Sequence, residues 1–378
     1  MTNNLGKANK NDRDLEKGLI AIANQFSADN PAIRIQQYGS GNINSTFLVT
    51  REVKPPFILQ RINTTVFCQP KLVMNNICLL SDYVSQRLKT TNIQADRYWS
   101  IPQVLLTTQE QNYWIGSDNS FWRAISFIDN SQSFDTIQNI HHGQEIGYGL
   151  GMFHNLIEDL PVDKLADTLE GFHITPGYFW HYQQVQQTTD VKPSPEVNYC
   201  QKFISDRPDL PHILESAKAS GKLKLRTIHG DPKINNIMID CSSQQAVAMI
   251  DLDTVKPGLI HYDIGDCLRS GCNPLGEETP DWEQVIFEPE LARAILQGYL
   301  SVARNFLTDL DYEYIYDSIR LLAFELGLRF FTDYLEGNVY FGAKSKQHNL
   351  QRALVQFKLT ESIETQAAAI AKIIKELP

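Results

Sequence analysis

The hydrophobic periodicity of this chain changes once, near residue 129, and that change limits its fold more than any other feature. Between residues 33 and 128 apolar and polar residues alternate in short runs. "IRIQQYGSGNINSTFLVTR" alternates, turns through glycine and alternates again, as a β-hairpin does, and "PFILQRI" continues as a third strand. "PKLVMNNICLLSDYVSQRL" has the length and spacing of a helix, as has "DLEKGLIAIANQF" before the hairpin. "YWIGSDNSFWRAISFID" gives two more strands around a Ser-Asp-Asn-Ser turn. After "FIDNSQSFD" the spacing turns helical, opening with "HGQEIGYGLGMFHNLIEDL". Residues 161–195, rich in Pro, Gly and aromatics, read as a stretch wrapping a surface. A strand "QAVAMIDLD" and four or five helices complete the chain. Strands gathered in one stretch and helices in the next describe an α+β protein with a small antiparallel-sheet lobe, carrying one helix, and a larger, mainly helical lobe. We expect a flexible tail at residues 1–13, the first lobe at 14–128 and the second at 129–378.

A chain of 378 residues can bury two cores. The net charge of −10, with no compensating basic block, argues against a nucleic-acid or anionic-membrane partner. No apolar run approaches 18 residues, and "MTNNLGKANKNDRD" is polar, so neither a membrane span nor a signal peptide is expected. The six cysteines lack paired metal-ligand spacing and read as buried, reduced thiols of a cytoplasmic protein.

The stretch "RTIHGDPKINNIMID", residues 226–240, crowds polar groups between two apolar flanks. It reads as a loop held between strands. Singly its residues have ordinary uses: Asp231 before Pro232 as a turn former, Asn235 or Asn236 as a cap, Asp251 and Asp253 as a solvated strand end. Together, in this order, they match what phosphoryl transfer from ATP requires. A carboxylate must orient and deprotonate the attacking hydroxyl, oxygen ligands must hold Mg²⁺, and positive charge must lie near the moving group. Asp231 supplies the carboxylate, Asn236 and Asp251 the metal oxygens, and Lys233 the ammonium, while His229 braces the loop.

"HGDPKINN … MIDLDTVKPGLIHYDIGDCLR" resembles the catalytic core of the aminoglycoside phosphotransferase and choline kinase superfamily, with the N-acetylhexosamine 1-kinases the nearest group. The likeness extends over "GSGNINSTF", "ILQRIN", "FWRAISFI", "LEGFHIT", "ELGLRFFTDYLEGNVYF" and "HNLQRA". It implies a bilobal protein-kinase-like fold, Asp231 as base, Asn236 and Asp251 as Mg²⁺ ligands, and Asp263 as a structural acid supporting the loop. Phe127 and Ile128, ending "FWRAISFI", are expected against the nucleotide. The acceptor is small: Gly230 stands where the H-R-D loop of a protein kinase has Arg, nine residues separate Asp253 from Asp263, and no A-P-E sequence follows.

Two departures matter. The glycine loop is short, Gly39-Ser-Gly41-Asn-Ile-Asn44, without the third glycine of G-x-G-x-x-G; Asn42 and Asn44 offer donors to phosphates. "PFILQRI" has no lysine, only Gln60 or Arg61, where such enzymes hold the α- and β-phosphates. Alternation puts Phe57, Leu59 and Arg61 on one face and Ile58, Gln60 and Ile62 on the other. We expect Arg61, whose forked donors suit phosphate oxygens.

For the acceptor we expect His173 and Thr175 of "EGFHITPGYFW", with Arg329, Asp333 and Tyr340 of the late helix. Arg329 and Asp333, four apart, also fit a plain intrahelical salt bridge. The resemblance implies an amino-sugar acceptor phosphorylated at C1. An aminoglycoside or an amino alcohol such as choline or ethanolamine is the alternative, for which "EETPDWEQVIFEPE" offers acids. An inactive nucleotide- or sugar-binding relative is the reading from another class. Monomer and dimer are both compatible with the sequence.

Overall fold

The computed structural model describes residues 10–27, 30–39, 41, 43–91 and 97–377. The chain divides into two compact units, residues 1–81 with 102–129, and residues 82–101 with 130–378. The division therefore falls after Asp129 rather than Ile128, and the segment 82–101 belongs with the second unit. Residues 1–9 of the expected tail lie outside the described residues, and a helix already begins at Lys10.

The first unit opens with α1 (Lys10–Ala23), followed by β1 (Ala32–Gln37), β2 (Ser45–Arg51) and β3 (Phe57–Ile62). Next come α2 (Pro70–Leu88), whose residues from Asp82 on fall in the second unit, and β4 (Val104–Leu105), β5 (Trp114–Ile115) and β6 (Phe121–Ser126). The strands pair antiparallel in the order β1-β2-β3-β6-β4, with β5 on β6. Asn119, at φ 62°, turns the chain between β5 and β6, where the Ser-Asp-Asn-Ser turn was expected. Period-two alternation sorts the side chains onto two faces. Val49, Phe57, Leu59, Trp122 and Ala124 pack with Ala23 and the α1 residues Leu19, Ile20 and Ile22. The opposite face carries the cross-strand row Thr46, Gln60 and Arg123.

The second unit holds β7 (Ser131–Gln132), α3 (Ile140–Ile157), α4 (Thr175–Thr188), α5 (Pro195–Ser205) and α6 (Ile213–Ala219). These are followed by β8 (Leu225–Ile228), β9 (Ile237–Asp240), β10 (Ala246–Met249), β11 (Lys256–Leu259) and α7 (Ile260–Gly271). The chain ends in α8 (Pro289–Ala303), α9 (Asp309–Glu313), α10 (Ile315–Leu335), α11 (His348–Thr365) and α12 (Ala367–Glu376). A three-stranded sheet runs β10-β9-β7, and β11 pairs with β8. The stretch expected to wrap a surface at 161–195 instead contains α4. Pro176 sits in its first turn, where a missing N–H costs nothing, and Tyr182 and Val185 enter a core shared with α10 and α11. From α7 onward six helices are described rather than four or five.

Only Cys200, Cys267 and Cys272 are buried; Cys68 and Cys241 are exposed, against the expectation of six buried thiols, and all six are free. No described helix is long and apolar enough to cross a membrane.

Glycine allows α3 and α8 to approach backbone to backbone. A Cβ on Gly147 would lie 1.8 Å from the Ile295 carbonyl oxygen, and one on Gly298 would lie 1.8 Å from that of Gln144. Neither obstacle is a side chain that can swing away. Gly147→Ala and Gly298→Ala should each destabilise the fold by roughly 1–3 kcal/mol or more, the range for overpacking a tight interior. Urea unfolding checks this, and an unchanged midpoint would show that the helices separate freely.

Candidate active site

The loop between β8 and β9 is fixed from below by one buried carboxylate. Asp263, in the first turn of α7, accepts the His229 N–H at 2.7 Å and the Gly230 N–H at 2.8 Å. Its Oδ2 also accepts from His154 Nε2 at 2.8 Å, and the Tyr299 hydroxyl lies 3.0 Å from His154 Nδ1. Burial alone would raise the Asp263 pKa, but the hydrogen bonds it accepts from the His154 ring and the His229 N–H bring it below the usual carboxylate range. Gly230 has φ 86°, and a Cβ there would meet the Thr254 carbonyl oxygen at 2.7 Å. Glycine is therefore required where an arginine stands in protein kinases.

His229 is fully buried, and its two ring nitrogens have different partners. Nδ1 accepts the Asp231 N–H at 3.2 Å, so the ring proton sits on Nε2 and goes to the Ile250 carbonyl at 2.9 Å. Burial depresses its pKa and keeps it neutral. The brace expected of His229 is thus a backbone clamp on both sides of the loop, and Thr254 adds a hydroxyl donated to the His229 carbonyl at 2.8 Å.

On this scaffold Asp231, Lys233 and Asn236 come together. Lys233 Nζ lies 3.0 Å from Asp231 Oδ2. Asn236, in the short 3₁₀ turn Ile234–Asn236, donates its Nδ2 to the Asp231 carbonyl at 2.7 Å and to Oδ2 at 3.3 Å. Among the described residues no hydrogen bond falls on Asp231 Oδ1 or Asn236 Oδ1. The Asp231 carboxylate, with Asp251 behind it, holds the half-buried Lys233 ammonium above its ordinary pKa despite burial. Asp251 itself adopts left-handed backbone, φ 62° and ψ 54°, with one residue, Ile250, between it and the end of β10. A non-glycine residue carries about 1–3 kcal/mol of strain there, a cost that concentrates at functional sites. Asn235, left without a role by its sequence context, donates to Asp135 Oδ1 at 3.1 Å and ties the loop to the segment before α3.

The oxygen set of Asn236 and Asp251 fits a hard divalent cation. The Asn236 donor end is turned to Asp231, which leaves its carbonyl oxygen as the ligating end. No group of three or more His, Cys, Asp or Glu among the described residues forms a closed metal cage.

His173 and Thr175 lie differently from expectation. Both are buried, and both serve Glu325 of α10. His173 Nδ1 is 2.8 Å from Glu325 Oε1 and Nε2 is 2.6 Å from the Gly230 carbonyl, while Thr175 donates its hydroxyl to Glu325 Oε2 at 2.6 Å. Both partners of the imidazole only accept, so both nitrogens carry protons and neither is left for a ligand. Burial opposes that charge, but Glu325 outweighs it and the His173 pKa is raised. The two residues hold the loop rather than face a substrate.

Asp333 also turns inward. It accepts the backbone N–H groups of Val339, Tyr340 and Phe341 at 2.7 to 3.1 Å and the Asn349 amide at 2.8 Å, so it organises the loop after α10. The intrahelical partner of Arg329 is Glu325, at 4.0 Å, not Asp333. The Arg329 guanidinium is surrounded by Phe172, Tyr178, Tyr340 and Phe341, with ring centres 4.8 to 5.9 Å away. The charge of Asp231 is among those that raise its pKa against burial. Tyr340 remains well exposed.

In the first unit Gly39 has φ 74°, a Cβ on Gly41 would meet open space, and Asn42 lies outside the described residues. Asn44 Oδ1 accepts the Asn63 N–H at 2.9 Å at the foot of the hairpin. Ile128 is buried, and Phe127 meets the Tyr38 ring edge-on at 5.8 Å. Arg61 is not the inward-facing cation. It sits on the α1 face, half exposed, and pairs with exposed Asp118 at 3.3 Å. Gln60 occupies the other face, donating to Thr46 Oγ1 at 3.0 Å and accepting Arg123 Nε at 2.9 Å.

The sequence reading missed His154, Glu325 and Arg123. Each left the same trace: one ionisable residue in an apolar run, "GLGMFHNLI", "LLAFELGL" and "FWRAI".

A profile of the APH phosphotransferase enzyme family matches residues 34–310. The chain is similar to an aminoglycoside phosphotransferase from Alicyclobacillus acidocaldarius, at 17% identity and TM-score 0.56, over 94% of this chain and 96% of that one. It is similar to a choline kinase from Cryptosporidium parvum, at 16% and 0.57, over 90% and 91%. It is also similar to an amicoumacin kinase in complex with AMP-PNP and Ca²⁺, at 15% and 0.56, over 88% of each chain. These likenesses carry the fold, a protein-kinase-like one with an antiparallel-sheet N-lobe and a helical C-lobe. With more than half of its length matched by that profile, the chain belongs to the APH phosphotransferase enzyme family and is a small-molecule phosphotransferase with an alcohol group as acceptor.

Proposed function

We propose that the enzyme transfers the γ-phosphoryl group of ATP to the C1 hydroxyl of an N-acetylhexosamine, giving the sugar 1-phosphate and ADP. The observation that carries the phosphotransfer is the polarised Asp231 carboxylate. Lys233 and Asn236 both engage Oδ2, which leaves Oδ1 to accept the acceptor's hydroxyl proton. Lys233 stays protonated and places positive charge two residues from the base. Asn236 and Asp251 are the residues that would hold Mg²⁺, which supplies charge neutralisation for the phosphoryl group when bound. The Tyr38 and Phe127 rings are suited to a flat base, and the related amicoumacin kinase was solved with an ATP analogue.

For the acceptor, the state of the acids favours a neutral polyol over a cation. Glu277 is paired with Arg269 at 3.2 Å and with Arg352 at 2.5 Å. Glu278 is paired with Lys344 at 2.7 Å and with His348 at 2.9 Å. Glu325 is taken by His173. The first two acids of the stretch that a choline-like or aminoglycoside acceptor would need are thereby neutralised, and Arg329 adds a further cation within an aromatic surround. A sugar uses such a surface through stacking and directed hydrogen bonds.

The test is ADP release with Mg²⁺ and ATP, or GTP as a second donor, across N-acetylglucosamine, N-acetylgalactosamine, simple hexoses, choline, ethanolamine and aminoglycosides. We expect turnover with an N-acetylhexosamine and loss of it when C1 is blocked as a methyl glycoside. Turnover on choline or an aminoglycoside alone would sink the sugar reading.

A further inference from the structure

The loop after α10 is held by its backbone from within and turns side chains outward. Buried Asp333, near the end of α10, accepts the N–H groups of Val339, Tyr340 and Phe341 at 2.9, 2.7 and 3.1 Å. Val339 and Tyr340 themselves are 73% and 45% exposed. A chain of buried bonds holds Asp333 in turn. Asn349, in the first turn of α11, donates to Asp333 Oδ2 at 2.8 Å, and Arg352 Nη1 donates to Asn349 Oδ1 at 3.3 Å. Arg352 Nη2 reaches Glu277 Oε1 at 2.5 Å, and its Nε lies 3.3 Å from Glu278 Oε1. Glu277 accepts from Arg269 Nη1 at 3.2 Å, and Arg269 Nε donates to Asp266 Oδ1 at 2.8 Å. Asp266 and Arg269 belong to α7, the helix whose Asp263 holds the His229 and Gly230 amides. Charge alternates along the whole run and ends at Glu278, which Lys344 of the loop and His348 of α11 also meet.

Apolar packing alone could join these helices at less cost. Taking an ion out of water carries a penalty of several kcal/mol, and hydrophobic residues of similar volume often do as well or better. What the ionic chain adds is direction. The Arg352 guanidinium lies 3.8 Å from the Phe330 ring centre and 5.6 Å from that of Phe341. From there its planar fork meets Asn349, Glu277 and Glu278 through three different nitrogens, a set that the single ammonium of lysine cannot span. The loop so fixed supplies part of the aromatic surround of Arg329, with the Tyr340 and Phe341 ring centres 5.9 and 5.3 Å away. The Asp231 charge acts on that same arginine, so the loop and the base flank one group.

We propose that Arg352 is a positioning residue for the acceptor. Through Asn349 and Asp333 it sets the loop that carries Tyr340, and through Glu277 and Arg269 it ties that loop to the helix supporting the base. This rests on the acceptor reading of the Arg329 surface given above. Arg352 is buried and acts through its partners, so its loss should appear in acceptor binding and leave the nucleotide alone.

The experiment combines steady-state kinetics with N-acetylglucosamine and N-acetylgalactosamine, ADP binding by calorimetry, and amide hydrogen exchange. The proteins are the wild type, Arg352→Lys, Tyr340→Ala and the double variant Arg352→Lys/Tyr340→Ala. Arg352→Lys is expected to raise the acceptor KM roughly 10–100-fold, the range of a lost charged hydrogen bond, with ADP affinity unchanged. Exchange at the Val339, Tyr340 and Phe341 amides is expected to quicken. The double variant is expected to bind the acceptor about as weakly as Tyr340→Ala alone, because the arginine acts through the loop. If Arg352→Lys does not fold, Glu278→Gln, at the exposed end of the chain, takes its place. Its acceptor KM is expected to rise up to about fivefold, the span of a surface ion pair, with faster exchange in the loop. An unchanged acceptor KM with unchanged loop exchange, in whichever variant folds, would overturn the proposal. So would a parallel fall in acceptor and ADP affinity, or losses that add in the double variant, since each marks an arginine that serves only the fold. A wild type that turns over neither sugar would instead remove the sugar reading on which the proposal stands. That failure is distinguishable, because ADP binding and loop exchange are still read.

Discussion

Asp231→Asn is expected to lower kcat by roughly 10²–10⁴-fold, the span of a positioned general base, with nucleotide affinity little changed. The substitution keeps the shape of the side chain and the loop that carries it. His229 still accepts the residue 231 N–H, and Asp263 still holds the His229 and Gly230 amides. What disappears is the proton acceptor at Oδ1 and the negative charge that keeps Lys233 above its ordinary pKa. The loss should fall on the step in which the acceptor hydroxyl gives up its proton, so KM for the nucleotide should move far less than kcat. Steady-state kinetics with a saturating acceptor, alongside ADP binding, separates the two. A variant that kept more than about a tenth of wild-type kcat would remove Asp231 as the base, because a general base contributes at least ~10²-fold.

The fold was legible where periodicity was strong. The hairpin, the third strand, α2 and the strand pair ending at Ser126 all follow from alternation or helical spacing. α4 was not, because Pro176 and Gly177 look like loop residues until the core supplied by α10 decides otherwise. The loop residues Asp231, Lys233 and Asn236 were legible because they are close in sequence, so spacing alone brings them within reach of one another. The supports were not. Glu325 is 152 residues from His173, and Arg123 is 63 from Gln60. No local pattern predicts such pairings. Alternation gave the two faces of β3 without saying which was inward, and helix α1, packed against Phe57 and Leu59, settles that point. The acceptor expectations for His173, Thr175 and Asp333 went astray for a related reason. A polar residue beside aromatics is compatible with a binding wall, but it is equally what a buried network needs to satisfy its backbone.

The second large effect lies in the His173–Glu325 pair. Glu325→Gln is expected to destabilise the protein by roughly 3–5 kcal/mol, the cost of leaving one charge of a buried pair uncompensated. It should also lower kcat, because the same imidazolium holds the Gly230 carbonyl next to the base. The groups facing His173 are Glu325 from α10, Asp266 and the stacked Tyr262 ring from α7, and the Gly230 carbonyl. Arg329 bears on the pair from the Glu325 side. The pH dependence follows from the directions of the two shifts. His173 has its folded pKa raised, so its contribution is complete below about 6.5 and is lost as pH rises through the folded value. Glu325 is pushed upward by burial but brought below its ordinary range by His173, so its contribution is complete above about 4.3 and is lost as pH falls through the folded value. Both are therefore present in full between about pH 4.3 and 6.5, and the deficit of Glu325→Gln relative to wild type should be largest there. On the alkaline side the wild type gives up the His173 proton and the gap narrows. The double variant His173→Leu/Glu325→Leu should cost less than the two single substitutions combined, because it removes both buried charges together. Urea unfolding of the wild type, Glu325→Gln, His173→Leu, Glu325→Leu and the double leucine variant at about pH 5.5 and 9 measures all of this. A Glu325→Gln deficit equal at both values would show that the imidazole is neutral in the fold, and that Gly230 is held by a single ring proton.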